Sequence, residues 1–80
     1  MDTLEELLEL KRVRMLAETG KARKIREASK ITQAELARFV GVTGVTLGSW
    51  DNGEHIPRLK VGLRWLQALD ELAGATNDGR

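Results

Sequence analysis

Apolar residues recur at intervals of three and four through most of this sequence, which is the spacing of a helix with one buried side. No segment alternates apolar and polar residues with the period of two that a half-buried strand requires. The pattern is interrupted at glycines and at the single proline, where helices commonly end. It therefore predicts an all-α fold of five helices, over residues 3–19, 21–29, 32–40, 43–52 and 58–73.

Two capping boxes mark helix starts. In this motif a Thr side chain and the side chain of a Glu three residues later each accept a backbone N–H. Thr3 with Glu6 predicts the start of the first helix, and Thr32 with Glu35 predicts the start of the third. Other residues typical of helix ends mark the remaining boundaries: Gly20, Gly41, Thr43, Gly53 and Pro57.

The apolar stripes identify the side chains expected in the core. On the first helix the stripe is broad, and it consists of Leu4, Leu7, Leu8, Val13, Met15 and Leu16. The stripes of the later helices contain Leu36, Ala37, Val40, Leu47, Trp50, Gly62, Trp65, Leu66, Leu69, Leu72 and Ala73. Because both tryptophans lie on these stripes, we expect them in the core rather than on an exposed binding surface.

This pattern divides the chain into three parts. Residues 1–19 form an N-terminal amphipathic helix, residues 20–73 form the main helical domain, and residues 74–80 form a flexible tail. The apolar stripe of the first helix must be buried against something, and two ways are open. The helix either packs on the fifth helix and enlarges the core, or it pairs with another copy of the chain in a homodimer.

The composition narrows the classes of function. A chain of 80 residues suits one domain with a modest core and leaves no room for a separate catalytic domain. Without cysteine it has neither disulfides nor thiolate metal sites, and His55, the only histidine, has no partner at ligand spacing. No apolar run approaches the roughly 20 residues of a membrane span. We expect a soluble cytoplasmic protein that has no metal, cofactor or membrane partner and is not an enzyme.

Charge is strongly segregated although the formal net charge is only +1. Residues 1–10 carry four acids and no base, whereas residues 11–30 carry eight Lys or Arg against two acids. The basic segment directly precedes the third and fourth helices. It is either an ordinary solvated helix surface or a surface for a polyanion.

The third and fourth helices are short and joined by a tight, glycine-containing turn. The sequence reads TQAELARFVG, then VT, then GVTLGSWDNG, with Pro57 following. From residues 22 to 57 it resembles the lambda-repressor-like (Cro/XRE) helix-turn-helix family in its Q-x-x-L-A opening, its G-V-T turn and its W-x-N-G closing. The resemblance implies an all-α, five-helix lambda-repressor-like domain with an extra N-terminal helix. It also implies that residues 20–73 bind double-stranded DNA, with the helix of about 43–52 in the major groove.

The resemblance also implies roles for particular residues. Side chains and backbone that would contact base edges are Gln33, Thr43, Gly44, Val45, Thr46 and Ser49. Cations that would contact phosphates are Arg26, Lys30, Arg38, Arg58 and Lys60. Arg26 and Asp51 would also form an internal salt bridge, the alternative being two independent surface charges. Because the helix of about 43–52 would present no Arg, Lys, Asn or Gln to the bases, we expect contacts to thymine methyl groups and readout of DNA shape.

The function expected from these features is sequence-specific transcriptional regulation, by a repressor of the phage or plasmid kind. The same surface would equally serve the DNA-binding antitoxin of a toxin pair. A different class of function is a protein-interaction module, in which the weakly polar fourth helix and the leucine-rich first helix dock on a partner protein. Binding to random duplex that falls steeply with salt would favour the DNA-binding function.

Overall fold

The computed structural model describes the backbone of residues 3–78 and the side chains of residues 3–75. Within this part of the chain all regular secondary structure is helical. The predicted all-α fold of five helices is confirmed. The helices are α1 (Leu4–Thr19), α2 (Lys21–Ala28), α3 (Gln33–Val40), α4 (Gly44–Asp51) and α5 (Leu59–Asp78).

Both predicted capping boxes form. Thr3 and Glu6 exchange their two hydrogen bonds at the start of α1, and Thr32 and Glu35 do the same at the start of α3. The glycines predicted to end helices have the left-handed conformation, with φ of 75° at Gly20, 93° at Gly41 and 74° at Gly53. Local hydrogen bonding therefore sets these boundaries within one residue of the predicted ones.

Helix α5 is longer than predicted. It continues through Gly74 to Asp78, whereas the sequence predicted its end at residue 73 and a flexible tail over residues 74–80. Gly74 does not have a positive φ, so it does not reverse the chain as the other helix-ending glycines do. A helical glycine lowers stability by about 1 kcal/mol relative to alanine, which weakens a helix without ending it. The predicted helix end at residue 73 was therefore wrong. The flexibility expected of residues 74–78 stays a prediction, and residues 79–80 lie outside the described residues.

All five helices contribute to one hydrophobic core. Trp65 lies at its centre, fully buried, and its ring is tilted by 57° against the ring of Trp50 at a centroid distance of 5.2 Å. Tilted aromatic pairs at this distance are favourable beyond the area that they bury. The buried apolar residues are Val13, Ala17, Ala22, Leu36, Ala37, Val40, Leu47, Trp50, Trp65, Leu66, Ala68 and Leu69.

Helix α1 packs closely on α5. A Cβ built on Gly62 would lie 3.2 Å from Cγ1 of Val13, so the absence of a side chain at Gly62 allows this approach. Beside this contact, Arg12 donates a hydrogen bond of 2.8 Å to Asp70 of α5 at the surface. Of the two expected uses of the first helix, packing on the fifth helix is therefore present in the monomer.

The apolar residues of α1 occupy two opposite sides of the helix. Val13 and Ala17 are buried against the core, but most of the predicted stripe is exposed. Leu4 and Val13 are separated by about two and a half turns, so they cannot face the same way. The predicted stripe is therefore divided between two sides of α1, and four of its members, Leu4, Leu7, Leu8 and Met15, are exposed in the single chain. We call the exposed side, consisting of Leu4, Leu7, Leu8, Lys11 and Met15, the outer α1 face.

Candidate nucleic-acid interface

Helices α3 and α4 are joined by a turn of three residues, Gly41, Val42 and Thr43. The backbone N–H groups of Gly41 and Val42 both donate to the carbonyl of Ala37, at 2.8 and 2.9 Å. Thr43 caps α4 by accepting the N–H of Thr46 at 3.1 Å. The turn therefore satisfies its own polar groups, and it fixes how α4 lies against α3.

Helix α4 has one buried and one exposed side. Leu47, Trp50 and Asp51 are buried, whereas the side chain of Val45 is 87% exposed. Asn52 is exposed too, and it lies about two turns from Val45 on the same side. Asn52 was not among the predicted base-contacting residues, although its spacing from Val45 places it on the same side of the helix. The side of α4 that faces away from the core carries the exposed Val45 and the half-buried Gly48 and Ser49, and it continues to Asn52 after the helix end. Together with the bordering Thr43, Gly44 and Thr46, we call these residues the α4 surface.

Hydroxyl groups of the α4 surface are held by local hydrogen bonds. Thr43 Oγ1 donates to Thr46 Oγ1 at 3.0 Å, and Ser49 Oγ donates to the carbonyl of Thr46 at 2.7 Å. A hydroxyl that accepts one bond still has its own hydrogen to donate. Thr46 can therefore act as a donor to a ligand, while Thr43 and Ser49 offer lone pairs.

Gln33 lies against α4 at the first turn of α3. Its Nε2 donates to Asp51 Oδ2 at 3.2 Å, and a Cβ built on Gly48 would lie 3.2 Å from its Oε1. Gly48 thus makes room for the Gln33 side chain. Gly44, one turn earlier, is less crowded, since its nearest neighbour would be the Cα of Ala34 at 4.0 Å. The half-buried Gln33 is brought to the edge of the α4 surface, where its second amide hydrogen and its carbonyl oxygen can serve a ligand.

Arg26 and Asp51 form a buried ion pair. Both Nε and Nη2 of Arg26 lie 2.8 Å from Asp51 Oδ2, and Nη1 donates to the carbonyl of Ile31 at 2.7 Å. With the bond from Gln33, this network joins α2, α3 and α4 beneath the α4 surface. Arg26 was also expected to contact phosphate, but its side chain is only 10% exposed and its donors face inward. The burial and the engaged donors favour an internal role for Arg26, and its contact with phosphate stays a prediction.

The other predicted phosphate contacts are exposed. Their cationic groups can therefore meet a polyanion without being uncovered first. They are Lys30, Arg38, Arg58 and Lys60. Arg64 was not among the predicted residues, and it donates from Nη2 to the carbonyl of Phe39 at 3.2 Å, near the end of α3. A cation in this position is favourable for the helix dipole, and the spacing of residues along the chain did not predict it.

The capping residue at the start of α3, Glu35, has a lowered pKa. The backbone N–H of Thr32 donates a hydrogen bond of 2.9 Å to the Glu35 carboxylate. This bond and a hydrogen bond with the Thr32 side chain lower the pKa of the Glu35 carboxyl below its ordinary 4.5. Burial opposes the shift, and Arg38 adds to it. The capping carboxylate is therefore ionised at neutral pH, at a helix end where negative charge is favourable.

Sequence comparison agrees with this arrangement of α3, the turn and α4. Residues 23–72, which are more than half of the chain, match the family described as Helix-turn-helix. The chain belongs to this helix-turn-helix family. It is a DNA-binding regulator of the Cro/XRE type, and the resemblance noted from the sequence is confirmed. No curated protein and no solved structure matches the chain in the same comparisons.

The helix-turn-helix match begins within α2, so α1 lies outside it. The family is one of DNA-binding domains rather than catalytic ones. None of the helices formed by residues 4–78 combines the length and the apolar character that crossing a membrane requires. His55 is exposed in the loop between α4 and α5.

Proposed function

We propose that this helix-turn-helix protein is a sequence-specific repressor of the phage or plasmid kind, which binds duplex DNA with α4 in the major groove and acts in the cytoplasm. The observation that carries the proposal is the α4 surface. It is uncovered by the described chain and supported from beneath by the buried network of Arg26, Asp51 and Gln33. A rigid, uncovered helix of about 10 Å diameter fits the roughly 12 Å major groove.

Base discrimination in this proposal comes from short side chains. Val45 and the methyl groups of Thr43 and Thr46 would contact thymine methyl groups, which only the major groove displays. Gly44 and Ser49 would allow close approach of the backbone to the base edges. Gln33 is the exception, since its amide can bond to an adenine edge while it remains held by Asp51.

Affinity in this proposal comes from the exposed cations at Lys30, Arg38, Arg58 and Lys60. Each phosphate contact releases condensed counterions, so each one steepens the dependence of binding on salt concentration. Arg26 is excluded from this set because its guanidinium is buried. Its part is to hold α4 in position for the other contacts.

The experiment is selection of bound sites from a random duplex library, followed by titration of variants on the selected site and on random duplex at two salt concentrations. Val45→Ala should lose about 1 kcal/mol of discrimination between the two duplexes, because one apolar base contact is removed. Arg38→Ala should weaken both duplexes alike and reduce the salt slope by about 0.9. The matched control is Lys21→Ala, which removes one positive charge at the junction of α1 and α2. It should change neither the discrimination between the two duplexes nor the salt slope.

The division of roles is rejected if Arg38→Ala changes discrimination while Val45→Ala changes only the salt slope. If the affinity of the unmodified protein for duplex did not depend on salt concentration, DNA binding through these cations would be rejected. The repressor role is tested separately, by transcription in vitro from a promoter that overlaps the selected site. We expect the transcript to decrease as the protein is added, and an increase would contradict repression.

A further inference from the structure

The outer α1 face is an exposed surface of four large apolar side chains and Lys11, on the side of α1 that faces away from the core. Its four large apolar side chains are exposed to 72% at Leu4, 55% at Leu7 and Leu8, and 51% at Met15. They extend from residue 4 to residue 15, which is about 16 Å along the helix axis. Monomeric proteins expose single apolar residues routinely, but a contiguous set of this kind marks an interaction surface.

We propose that two copies of this chain pair through their outer α1 faces, with the two α1 helices antiparallel. This goes beyond DNA binding, and it neither requires DNA nor uses any residue of the α4 surface. Helix α1 would then be buried on both sides, with Val13 and Ala17 against its own core and Leu4 and Leu8 against the second copy.

The spacing along the outer α1 face fits a pair of helices. Leu4, Leu8, Lys11 and Met15 are separated by four, three and four residues, which is the alternation of the seam in a two-stranded coiled coil. In an antiparallel pair, Leu4 lies against Met15 of the second copy. Leu8 lies against the aliphatic part of Lys11, whose ammonium group can extend to water. Every position of the seam is therefore covered by an apolar stem.

The charges of α1 favour a second copy of this chain as the partner of the outer α1 face, and they favour an antiparallel arrangement of the two α1 helices. Residues 4–10 of α1 carry three acids, whereas residues 11–19 carry three bases and one acid. Inverting one copy places the acidic half of each helix against the basic half of the other, with Glu5 beside Arg12 of the second copy. A parallel pair would instead place Lys11 against Lys11 in the seam, where like charges repel.

Arg12 is suited to this contact because it is already oriented. It is held by Asp70 at 2.8 Å while its side chain remains 56% exposed. Glu5 of the second copy would add a second carboxylate to the same guanidinium, which has donors on both edges of its plane. The exposed ion pair of the monomer thus becomes part of a network at the edge of the interface.

The other apolar surface of the molecule fits a second copy less well. Phe39 is exposed in a groove between α3 and α5, next to Leu72, and the rim of that groove carries Glu35 and Glu71. Two such grooves facing each other would bring the carboxylates of Glu35 and Glu71 together, and the residues that line the groove include no cation. The outer α1 face, in contrast, is bordered by Glu5 and Arg12, whose opposite charges would meet in an antiparallel pair.

The dimer should be weak. A helix of 16 residues is about 24 Å long, and two such helices side by side bury roughly 1,000 Å² in total. This is below the range of about 1,200–2,000 Å² for stable interfaces, so we expect a dissociation constant in the micromolar range. Salt should weaken the dimer moderately, because the charged pairs lie at the exposed edge.

Sedimentation equilibrium of the full chain, without DNA, tests the proposal. From about 1 to 500 μM the protein should change from monomer to dimer. Leu4→Ser combined with Leu8→Ser should remain monomeric throughout, with an unfolding temperature at low concentration close to that of the unmodified protein, because both side chains are exposed in the monomer. Phe39→Ser is the matched control on the rival groove, and it should leave the dimer intact.

Either of two results overturns the proposal. One is a monomer at all concentrations, and the other is a dimer that Phe39→Ser disrupts and the double serine variant does not. Direction is tested by crosslinking, since the chain has no cysteine of its own. An oxidised mixture of Leu4→Cys and Met15→Cys chains should form mixed dimers, and Leu4→Cys alone should not, because disulfides need Cα atoms within about 7 Å. Efficient crosslinking of Leu4→Cys alone would show a parallel pair and contradict the antiparallel arrangement.

Discussion

Two ion pairs of this molecule have the same length and very different surroundings. Arg26–Asp51 and Arg12–Asp70 each have a shortest N–O distance of 2.8 Å. The side chains of the first pair are 10% and 0% exposed, and those of the second are 56% and 52% exposed. Distance alone therefore does not rank them, since breaking a buried pair leaves an uncompensated charge in the core and breaking an exposed pair does not.

Asp51→Asn should destabilise the protein much more than Asp70→Asn. We expect a loss of about 3 kcal/mol at Asp51, where the charge of Arg26 would remain buried without its partner, and at most about 0.5 kcal/mol at Asp70. For a domain of this size the first loss lowers the unfolding temperature by roughly 12–24 °C. Thermal unfolding at low protein concentration measures both, and equal effects of the two substitutions would contradict this ranking.

Glu35→Gln should alter how stability depends on pH. Because the folded-state pKa of Glu35 lies below 4.5, its ionised form stabilises the fold above pH 4.5, and this contribution is lost as the pH falls through the lower folded value. The variant lacks the contribution at every pH. The stability difference between the two proteins should therefore shrink as the pH is lowered from 6 to 3, as followed by urea unfolding. A difference that stays constant over this range would show that the carboxylate is not the group responsible.

At the scale of the helices, two glycines permit close contacts of different kinds. A Cβ at either position would lie 3.2 Å from a neighbour, which is the end of the Gln33 side chain for Gly48 and the buried Val13 for Gly62. The first neighbour can move toward solvent, whereas the second is enclosed by the core. An added methyl group should therefore be tolerated at Gly48 of α4 but not at Gly62 of α5, although the distance is the same.

Gly48→Ala should stabilise the protein slightly, and Gly62→Ala should destabilise it. Both substitutions gain up to about 1 kcal/mol of helix propensity. At Gly62 the added methyl group overpacks against Cγ1 of Val13, which typically costs about 1–3 kcal/mol and more than cancels the gain. Urea midpoints measure both changes. If Gly62→Ala were the more stabilising substitution, α1 would have to be able to shift away from α5 without loss.

The limits of helix prediction are clearest in α1 and α5. Capping depends on side chains within three residues, so the starts at Thr3 and Thr32 could be predicted correctly from the sequence. Which side of α1 faces the core could not, because leucines occupy both sides and the inner contact depends on Gly62, far away in the sequence. The end of α5 was predicted at residue 73, where the apolar stripe stops, but the helix continues through Gly74, which does not have a positive φ.

Prediction of the candidate site shows the same division. The turn, the buried side of α4 and the pairing of Arg26 with Asp51 could be foreseen from the resemblance to a known family. The burial of the Arg26 guanidinium could not, because it depends on how α2, α3 and α4 converge around it. The assignment of bases and phosphates to particular side chains stays a prediction until binding is measured.

At the scale of the whole molecule, the family match and the folded unit do not coincide. Residues 23–72 match the helix-turn-helix family, yet the buried core includes Val13 and Ala17 of α1. The division predicted at residue 19 therefore separates segments of the sequence but not of the core. Helix α1 is part of the same folding unit as the DNA-binding helices.

Val13→Ala should destabilise the protein by about 2 kcal/mol, because it opens a cavity in the buried core where α1 meets Gly62 of α5. Leu8→Ala deletes a larger side chain but should cost less than about 0.5 kcal/mol in the monomer, where this leucine is more than half exposed. Chemical unfolding at micromolar concentration or below compares the two. If the two losses were reversed, α1 would have to be rotated on α5 relative to the arrangement described.

The side chains that α4 presents have few rotamers to lose. Val45, Thr46 and Ser49 have short side chains, Gly48 has none, and the buried network beneath them prevents the helix from adjusting independently. Immobilising such a surface costs far less conformational entropy than immobilising lysines or glutamines. The adjustment needed for a close fit must then come from the duplex, whose stiffness depends on sequence. We therefore expect base steps that α4 never touches to influence which operators are preferred.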